Sequence, residues 1–257
     1  MSLLILNGLV LDPNAKAIIN NGGITGITEK KAVSYLAKAL KANGLWNLFH
    51  AIYPFVGGTA TSHSYNLKNT SLYRITWVNG PTHASTGVDF NGTTQYGDTG
   101  LIPDSVLTAN DTAFHYYSRS SEAISGNEIA SSNGATQTVS IGVRIAGDTT
   151  IADLYSSTGG RLTTSNTDGS GMFTFTRTAN SHIHYRNGSS LGSNATSGGT
   201  LPTVSLYIGA RNTSGSAGTY STHEGAFAAI SKALTDAQAS TLFTIVDTYQ
   251  KKLSRNV

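Results

Sequence analysis

At Gly57-Gly58 the hydrophobic period of this chain changes, and that change limits the folds open to it. Before it, apolar residues recur at helical spacing. Val33, Leu36 and Leu40 share one face of a segment that Thr28 opens and Gly44 closes. Asp12-Pro13 is another helix start, an N-cap acid followed by proline at the first helical position, and Asn21-Gly22-Gly23 ends it. Leu45-Trp46-Asn47-Leu48-Phe49 reads as one further helical turn ending before Pro54. Residues 1–55 are thus expected to form a small N-terminal helical element. From about residue 70 the period becomes two, with strands expected near 72–78, 86–98, 112–118, 138–146, 151–156, 172–178, 181–186, 189–192, 204–210 and 223–231. Short strands without helical crossovers imply a mainly β fold, an antiparallel β-sandwich over residues 56–257. The period switches back at Thr235-Asp236-Ala237-Gln238, a capping box. Leu242, Val246, Tyr249 and Leu253 follow as the apolar stripe of a C-terminal helix over about 235–253. Lys251, Lys252 and Arg255 fall at its carbonyl end, where the helix dipole favours cations. No repeat and no long linker interrupts the chain.

Charge narrows the function classes. Residues 1–43 hold five lysines against two acids, residues 44–250 hold nine basic and twelve acidic residues, and the last seven add three cations. The body is slightly acidic and lacks the basic stripe that a nucleic-acid binder needs. There is no cysteine, so disulfides and thiolate metal sites are excluded. No transmembrane run is present, and the opening MSLLILNGLVLDP, with no basic n-region and a break at Asn7-Gly8, argues against a signal peptide.

Within the β region, His182-Ile183-His184-Tyr185-Arg186-Asn187-Gly188 reads as a hairpin. Asn-Gly supplies the two positive-φ residues of a tight turn. Alternation is expected to send Ile183 and Tyr185 to the core and His182, His184 and Arg186 outward.

Three groups of residues resemble the concanavalin A-like (laminin-G-like) jelly-roll superfamily. They are Phe90-Asn91-Gly92-Thr93-Thr94-Gln95-Tyr96, the hairpin Tyr185 to Gly188, and Leu206 to Ala210 with Gly225 to Ala228 and Leu234 to Ala237. A fourth stretch, GLWNLFHAIYPFVGGTATSHSYNLKN, is similar to a segment of tailed-bacteriophage virion proteins, where a helical hairpin containing Gly-Ile-Thr (here Gly23-Ile24-Thr25) runs into a sandwich of this kind. After Lys68 the chain departs from that pattern, with Asn69-Thr70-Ser71 where relatives carry an Asp-Pro-Arg-Asp-like run. The resemblance implies a non-enzymatic virion component, a capsid or tail appendage, fibre or decoration protein. Its partners would be other virion proteins and host-surface glycans, with homo-oligomers on the analogy of fibres. It names no catalytic, cofactor-binding or metal-ligating residue. It also implies that Tyr53 and Phe55 wedge the helices against the sandwich, that Gly57-Gly58 makes the turn, and that the chain then enters its first strand.

Two other readings stand beside this one. A carbohydrate-binding or receptor-binding module would offer aromatic rings to sugars, with Trp77, Tyr116, Tyr117 and Tyr155 as candidates. A glycoside hydrolase would need two carboxylates about 5–10 Å apart. No Glu-x-Asp occurs, glutamate is confined to Glu29, Glu122, Glu128 and Glu224, and the odd spacing of Asp148 and Asp153 puts them on opposite strand faces. Ser62-His63 lacks the Gly-x-Ser-x-Gly elbow of a nucleophile. His182 and His184 lack a third metal ligand, His223-Glu224 lacks the second histidine of a zinc-protease helix, and the glycine-rich stretches 157–160, 168–171 and 196–200 read as connecting loops.

Overall fold

The computed structural model describes residues 5–6, 9–196 and 198–257; the Asn7-Gly8 break and Ser197 lie outside the described residues. The helix starts follow their caps. Asp12 accepts the backbone N–H groups of Asn14 and Ala15 to begin helix Pro13–Asn21, and its carboxylate also receives Lys41 Nζ at 2.7 Å. Helix Ile27–Ala42 buries Val33, Leu36 and Leu40. The closing helix, Asp236–Lys252, begins on the reciprocal Thr235–Gln238 box and buries Leu242, Ile245, Val246 and Tyr249.

Among the described residues, two large sheets stack on each other. The nine-stranded sheet runs in the order Arg161–Ser165, Thr149–Tyr155, Thr138–Ile145, Ile129–Ser132, Tyr207–Ile208, Tyr96–Asp98, Thr76–Val78, with the hairpin Arg211–Thr213/Ser216–Gly218 joined beside Ile129–Ser132. The eight-stranded sheet runs Ser189–Asn194, His182–Arg186, Gly171–Thr178, Asp111–Ser118, Gly225–Ser231, Val88–Asp89, Thr82–His83, with Phe49–Tyr53 also paired to Gly225–Ser231. The strand pairs are antiparallel except Arg211–Thr213 against Ile129–Ser132. The expected antiparallel β-sandwich is the fold observed.

Two cores divide the apolar residues. Phe55, Phe114, Phe173, Phe175, Ile129, Ile141 and Leu154 fill the space between the sheets. Tyr117, Phe227, Met172, Ile52 and Phe49 face the other way, onto Leu36, Leu40, Leu242 and Val246 of the helices. The molecule therefore has three layers: helices, the eight-stranded sheet, and the nine-stranded sheet, whose outer face carries no helix among the described residues.

This layering corrects several expectations. Helical structure stops at Leu48, and Phe49–Tyr53 is a strand. Its free edge is covered by Asn66-Leu67: Asn66 Oδ1 accepts the Ile52 N–H at 3.0 Å, and Leu67 N–H donates to Ile52 O at 2.8 Å. Tyr53 and Phe55 lie between the sheets, and Ile52 and Val56 meet the helices instead. After Gly57 and Gly58, both at positive φ, the chain forms a short helix, Ala60–His63, before its next strand. A side chain at Gly57 would meet Ser62 Oγ and Ile24 at under 3 Å, so the turn requires glycine on both counts. Arg255 is buried, not a surface cation: its guanidinium donates to Gln250 Oε1 and to the carbonyls of Pro54, Phe55 and Ala226.

Candidate functional site

The outer face of the nine-stranded sheet follows from register. Ala152, Ile141, Ile129 and Ile208 are cross-strand neighbours and point into the core between the sheets. The adjacent row must then point outward. It reads Arg161, Asp153, Ser140, Ala130, Tyr207, Asp98 and Thr76, with Arg211 also opposite Ala130.

Small residues at the centre of the row leave a depression of about 250 Å³, walled by Ile124, Ile145 and Ile151 and lined by Ser140, Asn127, Arg161 and Arg211. Asp153 is buried, and each of its oxygens receives an Arg161 nitrogen at 2.7 Å. That hydrogen-bonded contact holds the Arg161 guanidinium above its ordinary pKa. Asn127 donates to Ser140 Oγ at 2.9 Å while its Oδ1 has no partner. Arg211 Nε is likewise buried without one.

Along the same face stand three tyrosines. Tyr96 and Tyr207 stack at 4.4 Å between ring centroids and 22° between planes, and Tyr220 lies 6.5 Å from Tyr96. Tyr96 and Tyr220 are half-buried and reachable from solvent. Burial, with the neighbouring Tyr96 and Asp98, raises the Tyr207 hydroxyl to about 12, so it stays a donor at neutral pH.

The residues singled out from the sequence lie elsewhere. Tyr116, Tyr117 and Tyr155 are fully buried and offer no ring to a ligand. Trp77 is half-buried and donates Nε1–H to Ala60 O at 2.9 Å, beside a shallow hollow lined by Ser64 and Arg74. The histidines of the hairpin correct the expected facing. His182 and His184 are 0% exposed and point between the sheets, opposite Arg177 and Phe175. Tyr185 faces the closing helix, where its hydroxyl donates to Asp236 at 2.5 Å. The reason is that this sheet is covered on both sides, so its polar alternation does not mark solvent. Burial, and then the Arg177 charge, lower His182 to about 3, and burial lowers His184 well below its ordinary value. Among the described residues, no group of three histidines or acids could hold a metal ion, and no helix is long and apolar enough to cross a membrane.

Ser62 and His63 are held apart in role. Ser62 Oγ is committed to the Thr59 backbone, and His63 Nε2 accepts the Gly58 N–H at 3.1 Å, so Nδ1 carries the proton towards His83 Nδ1 at 3.1 Å. Burial lowers His63 to about 2. Several of the acids considered for hydrolysis are engaged: Glu128 with His223, Glu224 with Arg119, Asp148 with Arg144 and Asp153 with Arg161.

No protein-family model matches the chain, and no curated protein matches it. Solved structures do. A mutant of Trypanosoma rangeli sialidase displaying trans-sialidase activity matches at 13% identity over 90% of this chain and 39% of its own, with TM-score 0.51. The same organism's sialidase in complex with sialic acid matches at 16% identity over 75% of this chain and 32% of its own, with TM-score 0.53. The fold is a jelly-roll sandwich. Domain 4 of an extracellular arabinanase from Geobacillus stearothermophilus, in complex with arabinotriose, aligns over 98% of its own length and 76% of this chain, at 14% identity and TM-score 0.49. At these identities the likeness is one of fold alone, and this chain spans about two fifths or less of either sialidase chain.

Tyr96 and Tyr207 sit inside the resembling motifs, and the core position of Ile208 would have sent Tyr207 outward by alternation. Arg211 gave no such signal, because its hairpin is glycine- and serine-rich and reads as a loop.

Proposed function

We propose that this chain is a non-enzymatic sugar-binding module whose contact surface is the outer face of the nine-stranded sheet. The observation that carries the reading is one face that bears both a stacked tyrosine pair and a depression with an unpaired donor and acceptor. Sugars need both. Their flat C–H faces stack on aromatic rings, and their hydroxyls fix orientation through a few placed polar groups. The Trypanosoma rangeli sialidase that shares this fold over 32% of its own length is solved with sialic acid, which is in keeping with it. The absence of catalysis is part of the proposal: Asp153, the acid beside the depression, is locked by both nitrogens of Arg161, whereas hydrolysis needs two carboxylates free to exchange protons.

A glycan array probed with the intact chain tests this. Binding should appear and fall at least about tenfold in Tyr96→Ala and Tyr207→Ala, the loss expected for a stacking contact of about 1.4 kcal/mol. A flat array removes the reading, and release of reducing sugar from bound glycans overturns its non-enzymatic part.

A second statement rests on the resemblance of residues 45–68 to a phage segment. In it the module is displayed on a tailed-bacteriophage virion as a homo-oligomer beside other capsid or tail proteins, facing host-surface glycans. Mass spectrometry of purified particles decides it: the chain is found at stoichiometric copy number, or the statement fails.

A further inference from the structure

We propose that the depression on the outer sheet face selects sugars that carry a carboxylate, with Arg211 as the residue that reads the charge. The inference rests on the sugar-binding reading above and adds the chemical class of the ligand.

Arg211 is the starting point. Among the described residues its guanidinium takes part in no hydrogen bond and no ion pair, and its Nε is buried without a partner. Other arginines around the sandwich are committed: Arg119 to Glu224, Arg144 to Asp148, Arg161 to Asp153 and Arg186 to Asp168. A guanidinium is always charged and carries five donors, so a half-buried one with a buried, unpaired N–H is costly unless an acceptor arrives.

The surroundings define that acceptor. The depression holds two arginines and no acid in its lining, and Arg161 is neutralised by its cross-strand partner Asp153. The site therefore keeps about one uncompensated positive charge, on Arg211, inside a chain segment that is acidic as a whole. Glu128, which follows Asn127 in sequence, points away: its carboxylate takes the Val143 N–H and His223 on the far side of the strand. Beside Arg211, Asn127 Oδ1 is an unpaired acceptor suited to a hydroxyl, and Ile145 and Ile151 present apolar wall to a ring face. A carboxylate for Arg211, a hydroxyl for Asn127 and a C–H face for the isoleucines together describe an acidic monosaccharide unit. The volume of about 250 Å³ is just under the ~300 Å³ at which pockets for drug-sized ligands begin, a size for one sugar unit at a chain end or branch.

The test titrates free D-glucuronate, N-acetylneuraminate and D-glucose into the intact chain by NMR. The chain is compared with Arg211→Gln and Arg211→Lys, and the leading ligand is repeated at raised salt. Because Arg211 has no side-chain bond to lose, both variants should keep the native melting temperature. At least one acidic sugar should bind about tenfold or more tightly than glucose, the ratio expected when a charge-assisted hydrogen bond is present or absent. Arg211→Gln should erase that ratio, bringing the acidic sugar down to the affinity of glucose. Arg211→Lys should keep part of it, and salt should weaken the acidic ligand only. Equal binding of glucose and both acids, or a preference that survives Arg211→Gln, overturns the charge selection and leaves sugar binding standing. No binding of any of the three, with a flat array, overturns both.

Discussion

His223 and Glu128 form an ion pair in which both side chains are 0% exposed, at 2.8 Å, and it links the start of strand Gly225–Ser231 to the start of strand Ile129–Ser132, one in each sheet. His223 Nδ1–H donates to Glu128 and Nε2–H to the Glu122 carbonyl at 2.8 Å, so the ring has a partner for both protons. Burial opposes the charge, but the hydrogen bond to Glu128 outweighs it and raises the histidine above 6.5. A raised folded pKa contributes stability that is complete below 6.5 and is lost as pH climbs through the folded value. The other buried histidines act in the opposite sense. Burial holds His115 and His182 near 3 and His63 near 2, so below 6.5 the unfolded chain takes protons that the native state refuses. We therefore expect urea midpoints of the native protein to fall as pH drops below 6.5, and His223→Gln to cost about 3 kcal/mol at pH 6 and progressively less as pH rises. A deficit independent of pH between 5 and 9 would mean that His223 is neutral in the fold. None of this was legible from residue type. The acid beside His223 in sequence, Glu224, pairs with Arg119, and the true partner is 95 residues away.

Elements were legible where local chemistry decides them and illegible where a distant partner does. The caps at Asp12 and Thr235 and the positive-φ pair Asn187-Gly188 are local, and each forms as its sequence implies. Strand Arg161–Ser165 escaped because it is polar, with alternate residues Leu162 and Thr164 buried only by their neighbours in the sheet. Strand Phe49–Tyr53 escaped because Trp46–Leu48 before it is helical and Pro54 follows it. What makes it a strand is pairing with Ala228–Ser231 on one side and the Asn66 amide on the other. The stretch from Trp46 to Lys68 thereby acquires a physical account. Asn66 closes the strand edge, Lys68 Nζ donates to Trp46 O at 2.6 Å, and both Lys41 and Lys68 lie 4.5 Å over the Trp46 ring. Asn66→Ala removes an acceptor shared by the Ile52 and Lys68 N–H groups, the first of them fully buried. We expect it to cost about 1–3 kcal/mol in chemical denaturation, the penalty of a buried N–H left unpaired. Asn66→Asp, which keeps the acceptor, should recover part of that loss at pH 7; equal loss in both variants would assign the cost to the Leu72 carbonyl contact instead.

At the scale of the whole molecule the three layers divide labour, and the division explains why the candidate site lies where it does. Helices Ile27–Ala42 and Asp236–Lys252 pack together and cover one face of the eight-stranded sheet, the two sheets cover each other, and among the described residues the remaining outer face is not covered by either helix. The period change at Gly57-Gly58 showed where helix gives way to sheet, yet period alone could not show that strand Phe49–Tyr53 already belongs to the sheet or that the helices share its core. Leu36, Leu40, Val246, Ile52 and Phe227 form one continuous cluster, in which Leu36 and Leu40 are 0% exposed. Removing residues 1–48 would uncover the part of that cluster that Val33, Leu36 and Leu40 cover, a contiguous apolar patch of the kind that marks an association surface. We expect such a fragment to bind a hydrophobic dye, to associate on size exclusion and to lose its cooperative melt, although every residue of the proposed sugar face is retained. A fragment that stays monomeric and melts cooperatively would show the helical layer to be a separable appendage, and the sandwich to be complete without it.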